Sequence, residues 1–343
     1  MPRVAGPPSV LELDPKALEA IVLRAGGKPF HARSIRSWIL RRGAGTFGEM
    51  TDLPRSLLPR LGDLLVPLAS SLAERHAAPD GTVRLLLRLR DGNAVETVVI
   101  PGRGGATLCV STQVGCPVGC RFCASGLAGI VRNLTAPEIV EQFLHGRAEA
   151  RPLRPVSRAV VMGIGEPTLN LEALLAALEV VRDPRGFGLG ARRITISTVG
   201  YPDRVRRLAA AGTPYNLAVS LHAADDATRG RLIPTMARIP VASIVEGART
   251  YFATTGREPT FEYVLLAGTN DALDQARALA RLLEGARATV NLIPYNPIPG
   301  SPFRRPTRAR VEAFSRVLRG HGILATVRWS KGLEAEAACG QLR

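Results

Sequence analysis

From residue 106 onward, short apolar segments alternate with segments that carry a helical pattern. The predicted strands are residues 106–112, 158–164, 193–199, 216–222, 260–267, 288–294 and 323–329, and the clearest helices are residues 136–149, 171–182 and 307–319. Alternation of this length predicts a parallel sheet, either doubly wound or barrel-like. The chain has neither a dinucleotide-binding fingerprint nor a phosphate-binding loop, which favours the barrel. In a barrel, the reactive side chains collect at the carboxyl ends of the strands.

The first hundred residues follow a different pattern. Three helical stretches predict a small helical module, at residues 15–23, 31–41 and 56–65. Further on, Leu85 alternates with its neighbour Arg84 as in a half-buried strand, and Asp91-Gly92 predicts the turn into a second strand. We therefore expect three units, which are a helical accessory domain over residues 1–65, a β-hairpin extension over residues 66–100 and an α/β domain over residues 101–343.

The chain carries a large excess of positive charge. Lys and Arg together number 45 and Asp and Glu 29, so the net charge is +16. This excess predicts binding to a polyanion, with RNA or DNA as the first candidate, and we expect residues 1–65 to bind RNA. No apolar run reaches the ~20 residues that span a bilayer, and acidic residues interrupt the first twenty positions, so no secretory signal is visible. We expect a cytoplasmic protein that does not enter a membrane.

The chain has five cysteines, which are Cys109, Cys116, Cys120, Cys123 and Cys339. An odd number without a visible export signal favours metal or redox chemistry over a disulfide framework. Cys116, Cys120 and Cys123 form a C-x3-C-x2-C pattern after a predicted strand, and no histidine lies within twenty residues of them. A structural zinc site usually has four ligands, whereas three thiolates on a four-iron cubane leave one iron open to bind a small molecule. The spacing therefore favours a catalytic iron–sulfur cluster.

The cysteine pattern, with an aromatic residue before its last cysteine, resembles that of the radical SAM superfamily. Seven further motifs are spread along the chain, at residues 107–115, 161–170, 194–198, 220–222, 261–264, 291–297 and 337–342. Together they resemble the RlmN/Cfr family of radical SAM RNA methyltransferases, and most of all its RlmN branch. The resemblance implies an α/β fold, a partial (β/α)6 radical SAM barrel with a small N-terminal helical domain and a β-hairpin extension.

The resemblance also implies cofactors and the residues that bind them. One [4Fe-4S] cluster would be held by Cys116, Cys120 and Cys123, and two molecules of S-adenosylmethionine would be used per turnover. Gly165-Glu166-Pro167 ends a predicted strand, so Glu166 can accept hydrogen bonds from the ammonium group of this ligand. The residues expected to bind S-adenosylmethionine are Gly165, Glu166, Ser197, Ser220, Leu221, His222 and Asn291.

Cys109 and Cys339 lie outside the cluster pattern, and the resemblance implies covalent roles for both. Cys339 takes the methyl group of one S-adenosylmethionine, and a radical generated from a second molecule removes a hydrogen atom from that methyl group. The resulting carbon radical adds to the adenine ring, the adduct loses an electron and a proton, and Glu96 is the candidate base that takes the proton. Attack of Cys109 on the sulfur of Cys339 then releases methylated RNA and leaves a transient disulfide. Because Gly332 and Gly340 flank Cys339, we expect this tail to be mobile.

The substrate implied by the resemblance is carbon 2 of an adenosine in the peptidyl-transferase loop of 23S rRNA, with the adenosine next to the anticodon of some tRNAs as a second target. The implied electron donor is a flavodoxin or a ferredoxin, and we expect a monomer. Three alternatives stay open at this stage. They are methylation of carbon 8 as in the Cfr branch, radical chemistry on a substrate other than RNA, and a non-catalytic iron–sulfur or zinc protein that binds RNA. The last alternative leaves Glu166, Cys109 and Cys339 without a role.

Overall fold

Strands from both halves of the chain meet in one sheet in the computed structural model, which describes residues 6–127, 129–151, 155–212 and 214–343. The strands are β1 (Ser71–Ala77), β2 (Val83–Arg88), β3 (Ala94–Ile100), β4 (Ala106–Cys109), β5 (Gln113–Gly115), β6 (Ile130–Asn133), β7 (Val156–Val161), β8 (Ile194–Thr198), β9 (Asn216–Ser220), β10 (Thr260–Leu265), β11 (Thr289–Pro294) and β12 (Leu324–Val327). The helices are α1 (Pro15–Arg24), α2 (Pro29–Ser37), α3 (Leu57–Gly62), α4 (Ala136–Ala150), α5 (Leu171–Arg182), α6 (Pro202–Ala210), α7 (Asp226–Leu232), α8 (Val241–Thr255), α9 (Leu273–Leu282) and α10 (Arg308–Gly320). Within these ranges, no helix has the length and apolar character needed to cross a membrane.

Ten of these strands join in the order β1-β2-β3-β4-β7-β8-β9-β10-β11-β12, while β5 and β6 form a separate antiparallel pair. The pairs from β1 to β4 are antiparallel, and every pair from β4 to β12 is parallel. At least one helix lies between each parallel strand and the next along the chain, as βα units require. The order leaves β1 and β12 as the two edges. The predicted α/β partial barrel is therefore confirmed, with an antiparallel meander leading into it.

The register of the parallel strands brings polar residues from separate motifs into one row. Ser220 on β9 pairs with Glu262 on β10, Glu262 pairs with Asn291 on β11, and Asn291 pairs with Thr326 on β12. Parallel strands end at the same edge of a sheet, so the segments that follow them converge there. The motifs singled out in the sequence therefore meet at one end of the barrel.

The local sequence of helix α4 explains where it begins and how it packs on the sheet. The Thr135 hydroxyl accepts the backbone N–H of Glu138, and the Glu138 carboxylate accepts the backbone N–H of Thr135 at 2.8 Å, which is a capping box. The buried face of the helix, which includes Phe143, packs on β3 and β4. Gly146 permits this approach, because a Cβ atom there would lie 2.8 Å from a methyl group of Leu108.

Helices α1 to α3 form the N-terminal module, whose core includes the fully buried Leu18, Ile35 and Leu61. The two ends of the module meet where the backbone N–H of Val10 donates to the carbonyl of Val66 at 3.0 Å. The helix predicted over residues 31–41 begins earlier, at the proline that opens α2, and ends in a π-helical turn over Trp38–Arg42. The three predicted helical stretches are thus present.

The sequence pattern missed three strands, β1, β5 and β6. All seven residues of β1 are exposed, because it is an edge strand, so its sequence shows no apolar alternation. Strand β5 has only three residues, and β6 is exposed at three of its four positions, so neither shows an apolar alternation. The half-buried hairpin of β2 and β3 is present as predicted. Because β3 also pairs with β4, the segment of residues 66–100 is continuous with the sheet of the α/β domain.

Candidate active site

A cavity lies at the carboxyl ends of the parallel strands. The strand ends contribute Cys109, Met162, Gly163, Gly165, Glu166, Ser197, Thr198, Ser220, His222, Glu262, Val264, Tyr295, Asn296 and Arg328 to its wall. Two further segments complete the wall, the cysteine loop (residues 116–123) and the C-terminal tail (residues 332–343). Residues from both ends of the α/β domain therefore face one space.

The three cysteines of the loop, Cys116, Cys120 and Cys123, all line this cavity. The sulfur of Cys116 accepts backbone hydrogen bonds from Val118 and Gly165. Burial raises the pKa of Cys116 to about 11, and it also raises the pKa values of Cys120 and Cys123. Buried thiolates without a counter-charge are costly, so these sulfurs carry protons unless a cationic metal centre binds them.

The donor set fits a [4Fe-4S] cluster better than a single metal ion. Across the described ranges, no three His, Cys, Asp or Glu side chains come close enough together to hold one ion, whereas structural zinc needs four ligands around one point. A cubane takes each thiolate on a different iron, so its ligands surround a volume rather than a point. Three thiols that face a common cavity meet this requirement.

Cys109 and Cys339 line the same cavity, although they come from opposite ends of the α/β domain. Burial, reinforced by the charge of the Cys339 thiolate, raises the pKa of Cys109 to about 12. Cys339 is exposed toward the cavity, yet the protein around it also raises its pKa. The positive charge of Arg328, on the cavity wall, opposes the rise at both thiols. The fold thus brings two free thiols together beside one cation.

The C-terminal tail is docked by hydrogen bonds, and the mobility expected from Gly332 and Gly340 stays a prediction. The carbonyl of Gly340 accepts the backbone N–H of Ala124 at 2.8 Å, which ties the tail to the segment after the cysteine loop. The side-chain amide of Asn296 donates to the carbonyl of Cys339 at 2.9 Å. Both glycines have positive φ angles, 73° and 87°, so they allow the turns of the backbone that lead into these contacts.

Glu96, the candidate base, lies on β3 behind the tail, and it is not among the described residues of the cavity wall. Its carboxylate accepts hydrogen bonds from the guanidinium of Arg84 and from the backbone N–H of Arg343, each at 2.7 Å. Burial raises the pKa of Glu96, and the two arginines oppose that rise. A raised pKa suits a general base, and the contact with Arg343 also anchors the last residue of the chain.

The carboxylate of Glu166 is buried, and the chain itself supplies its hydrogen bonds. Its Oε1 accepts from the backbone N–H and hydroxyl of Thr168, at 3.0 and 2.6 Å, and from the hydroxyl of Thr198 at 2.7 Å. Its Oε2 accepts the backbone N–H of Val199 at 2.7 Å. These bonds tie the segment after β7 to the end of β8, and the expected contact of this carboxylate with a ligand ammonium stays a prediction.

Gly165, the residue before Glu166, has a φ of 110°, a backbone conformation that favours glycine. A Cβ atom at this position would lie 2.8 Å from the Cβ atom of Gln113, so the close approach at Gly165 is to the chain's own β5.

Ser197, Ser220 and His222 line the cavity, as the ligand-binding prediction requires. The imidazole Nδ1 of His222 accepts the backbone N–H of Val264 at 3.0 Å, so the ring proton of the neutral form is on Nε2. Burial lowers the pKa of His222 to about 3. The ring also packs edge-on against Phe122 of the cysteine loop, with centroids 4.9 Å apart. His222 is therefore a neutral donor at the cavity wall.

Two predicted ligand residues, Leu221 and Asn291, are not on the described wall of the cavity. Leu221 is fully buried, and its backbone N–H donates to the carbonyl of Glu262 at 3.0 Å. The amide of Asn291 donates to the Glu262 carboxylate at 2.8 Å and accepts the hydroxyl of Thr326 at 3.1 Å. The asparagine that reaches the wall is Asn296, beyond the end of the same strand.

Sequence reasoning missed several residues of the wall, among them Asn296, Glu262 and Arg328. Glu262 is a buried carboxylate whose pKa is raised by burial, while Arg328 and Asn291 act against the rise. Asn296 and Glu262 lie within motifs noted above, and Arg328 follows β12. The signal available in the sequence was therefore position, since each lies in or just after a predicted strand.

Comparison with known proteins covers both parts of the chain. The family model of the radical SAM superfamily matches residues 110–283, and that of the ribosomal RNA large subunit methyltransferase N-terminal domain matches residues 9–66. A Rhodopirellula baltica protein described as "Probable dual-specificity RNA methyltransferase RlmN" is 46% identical over 318 residues, which are 93% of this chain and 86% of that protein. A Thermus thermophilus protein with the same description is 44% identical over 337 residues, 97% of this chain and 92% of that protein.

A solved structure agrees with these relatives. The crystal structure of a radical SAM methyltransferase from Sphaerobacter thermophilus superposes with a TM-score of 0.93 at 42% identity, over 98% of this chain and 99% of that one. The similarity therefore includes the N-terminal module, the sheet and the tail. Together with the cavity and its five cysteines, these matches show that the chain belongs to the RlmN family of radical SAM RNA methyltransferases.

Proposed function

We propose that this protein methylates carbon 2 of an adenosine in the peptidyl-transferase loop of 23S rRNA, and of the adenosine next to the anticodon in some tRNAs. The description of its relatives as dual-specificity RNA methyltransferases and the net charge of +16 support an RNA substrate. The choice of carbon 2 follows from the similarity to RlmN proteins. The observation that carries the reaction type is that two free thiols, Cys109 and Cys339, share one cavity with the three-cysteine loop.

The proposed cofactors are one [4Fe-4S] cluster on Cys116, Cys120 and Cys123 and two molecules of S-adenosylmethionine per turnover. When bound, the cluster supplies the electron that cleaves S-adenosylmethionine to a radical. The hydroxyl of Ser197 and the Nε2–H of His222 are polar groups on a partly apolar wall, as small-molecule sites require. Anaerobic reconstitution to about four irons per chain would support the cluster. One zinc and no iron in active protein would refute it.

Cys339 is proposed to carry the transferred carbon. Its thiolate attacks the methyl group of S-adenosylmethionine, so that a sulfur–carbon bond forms on Cys339 and S-adenosylhomocysteine leaves. The carbon radical adds to the adenine ring, and the odd-electron adduct then loses one electron, for which the oxidised cluster would be the acceptor, and one ring proton, which Glu96 takes. The Cys109 thiolate then attacks the sulfur of Cys339. A disulfide forms, the bond between that sulfur and the RNA carbon breaks, and its electron pair stays with the carbon, which takes up a proton.

In this scheme, the charge of Arg328 favours the reactive thiolate forms of the two cysteines. A thiol with a pKa near 12 is almost wholly protonated at neutral pH, and a protonated thiol is a poor nucleophile. The guanidinium of Arg328 favours the thiolate forms of Cys109 and Cys339, because it lowers the pKa of each. The cavity therefore holds both nucleophiles near a cation that offsets part of the cost of forming their thiolates.

Replacing each cysteine in turn tests the covalent scheme. Cys109→Ala should still accept a methyl group on Cys339 and join the RNA, but it should fail to release it. This variant should accumulate protein bound to RNA, detected as a mass shift that nuclease removes, while Cys339→Ala should form no such adduct. Normal multiple turnover by Cys109→Ala would show that another group resolves the adduct.

The methylated carbon is tested on the product. Treated rRNA and tRNA are digested to nucleosides, and the chromatographic retention of the product is compared with 2-methyladenosine and 8-methyladenosine. We expect the 2-methyl product from both RNAs. Recovery of the 8-methyl product alone would assign the Cfr-type reaction, and would leave the roles of the cysteines intact.

A further inference from the structure

The cysteine loop has a second face that points away from the cavity. Cys120 and Phe122 line the cavity, whereas Arg121, between them, lines a groove on the outside of the protein. The described residues that line the groove and those that line the cavity have no member in common. One loop therefore presents its three cysteines to the cavity and Arg121 to the groove.

The surface of this groove is mainly apolar. Its lining includes Leu127, Pro299, Pro302 and Phe303, with Arg121 and Arg231 among them. The Leu127 residue is 65% exposed, and Ile130 and Val131 on the adjoining strand β6 are also exposed. A cluster of exposed apolar side chains beside a reactive centre marks an interaction surface.

The charge of the groove is positive. Arg121 and Arg231 are both exposed, and none of the described lining residues is acidic. The hydroxyl of Thr228 accepts a hydrogen bond from Arg231 at 3.2 Å, and the Asp225 carboxylate also interacts with its charge, so Arg231 offers a partner its remaining guanidinium N–H groups. Arginine and aromatic side chains on an apolar floor are the composition of a protein-binding site. The complementary partner carries carboxylates around an apolar centre.

We propose that this groove is the docking site for the electron donor, a small acidic protein that carries a flavin or an iron–sulfur centre. The inference rests on the proposed function, because a cluster on Cys116, Cys120 and Cys123 is what needs the electron. One encounter moves one electron across the loop. The centre of the donor is oxidised by one electron, and the cluster site is reduced by one electron.

Docking on the outer face also keeps the reaction cavity open. RNA must reach Cys339, which faces the cavity, so a donor on the cavity side would compete with the substrate. A donor in the groove leaves the described wall of the cavity uncovered, since the groove and the cavity share no lining residue. Electron-transfer complexes are small and transient, burying less than about 1,200 Å², so a short apolar groove with two charges is sufficient.

RNA is the other polyanionic partner that positive charge could attract, and the groove suits it less well. Affinity for RNA comes mainly from many phosphate contacts with Lys and Arg. The groove offers two arginines, and most of its lining is apolar or uncharged. Charge complementarity with an acidic protein instead predicts fast, salt-dependent association.

The test uses the full chain with its cluster reconstituted and a reduced bacterial flavodoxin as the probe. Two quantities are measured, the Kd for flavodoxin from flavin fluorescence and the rate of flavodoxin oxidation by stopped flow. The double variant Leu127→Asp, Arg231→Glu should raise the Kd by about tenfold or more and slow the oxidation in proportion. Reduction of the same variant by dithionite, which needs no docking site, should proceed as in the wild type.

Arg192→Glu is the matched control for charge. Arg192 is exposed and precedes β8, at the amino edge of the sheet, so its replacement places a charge change of the same sign at the opposite end of the barrel. It makes the same Arg→Glu change as the groove substitution at Arg231, and only the single added charge of Leu127→Asp is unmatched. We expect this variant to bind flavodoxin like the wild type. An equal loss of flavodoxin affinity in Arg192→Glu would show that the loss comes from net charge rather than from the groove, and would overturn the proposal.

The remaining outcomes separate the groove from the proposed function. An unchanged flavodoxin Kd in the double variant overturns the docking site, as does weakened RNA binding with flavodoxin binding intact, which would assign the groove to RNA. A wild-type protein that binds flavodoxin through this groove, but methylates no RNA with either reductant, supports the docking site and refutes the proposed function instead.

Discussion

Replacing Glu166 with alanine tests whether its carboxylate holds two strand ends together. The change removes the acceptor of four hydrogen bonds, from Thr168, Thr198 and Val199. The two threonine hydroxyls lie 3.4 Å apart and can rotate toward each other. The backbone N–H groups of Thr168 and Val199 cannot move in this way, so both are left buried without an acceptor.

The expected loss follows from these two groups. A buried donor left without a partner costs about 1–3 kcal/mol, so Glu166→Ala should lower the free energy of unfolding by about 2–6 kcal/mol. Glu166→Gln keeps one oxygen but turns an N–H group toward one of the donors, so it should cost about 1–3 kcal/mol. Urea unfolding of the cluster-free protein without S-adenosylmethionine, followed by circular dichroism, measures both changes.

Glu172→Ala is the control, because that side chain is 73% exposed. It should change the free energy of unfolding by no more than about 0.5 kcal/mol. The reasoning is refuted if Glu166→Ala costs less than about 1 kcal/mol. If the same variant also loses affinity for S-adenosylmethionine, the carboxylate serves the ligand, as its place in the sequence suggests.

Three further predictions concern the cavity wall. The pKa of His222 is lowered to about 3, below its unfolded value, so its stabilising contribution is present above about pH 6.5 and is lost as the pH falls toward 3. Between pH 7 and pH 5, the free energy of unfolding of the cluster-free wild type should therefore fall by about 2 kcal/mol more than that of His222→Asn. Asparagine is chosen because it tolerates the φ of 60° at this position. Urea denaturation that shows the same fall in both proteins would contradict this prediction. Asn296→Ala should weaken S-adenosylmethionine binding about tenfold in equilibrium dialysis, whereas Asn291→Ala should weaken it less than about twofold. The opposite order would show that Asn291 is the residue that binds S-adenosylmethionine. Gly163→Ala, whose Cβ would lie 2.6 Å from the Ser111 hydroxyl, should cost about 1–3 kcal/mol in thermal or urea unfolding, and an unchanged midpoint would show that the strand end can shift.

Local patterns were enough to predict the architecture and the cluster loop. The strands and helices of the barrel follow from apolar periodicity, which each segment carries by itself. The spacing of Cys116, Cys120 and Cys123 is equally local, because one short loop holds all three at the cavity. Cys109 and Cys339 were paired only through the family resemblance, since no local pattern connects residues so far apart.

Local sequence signals and the family motifs are therefore sufficient for the fold class, the cysteine loop and the family. Only the tertiary structure showed that Asn296 rather than Asn291 reaches the cavity wall, that Glu166 is engaged by β8, and that the tail is docked. It also separated the two faces of the loop, which puts Arg121 outside and its neighbours inside. The physical reason is that these contacts join residues distant along the chain. Strand register and the packing of the whole sheet set their positions, and neither is encoded in any single segment.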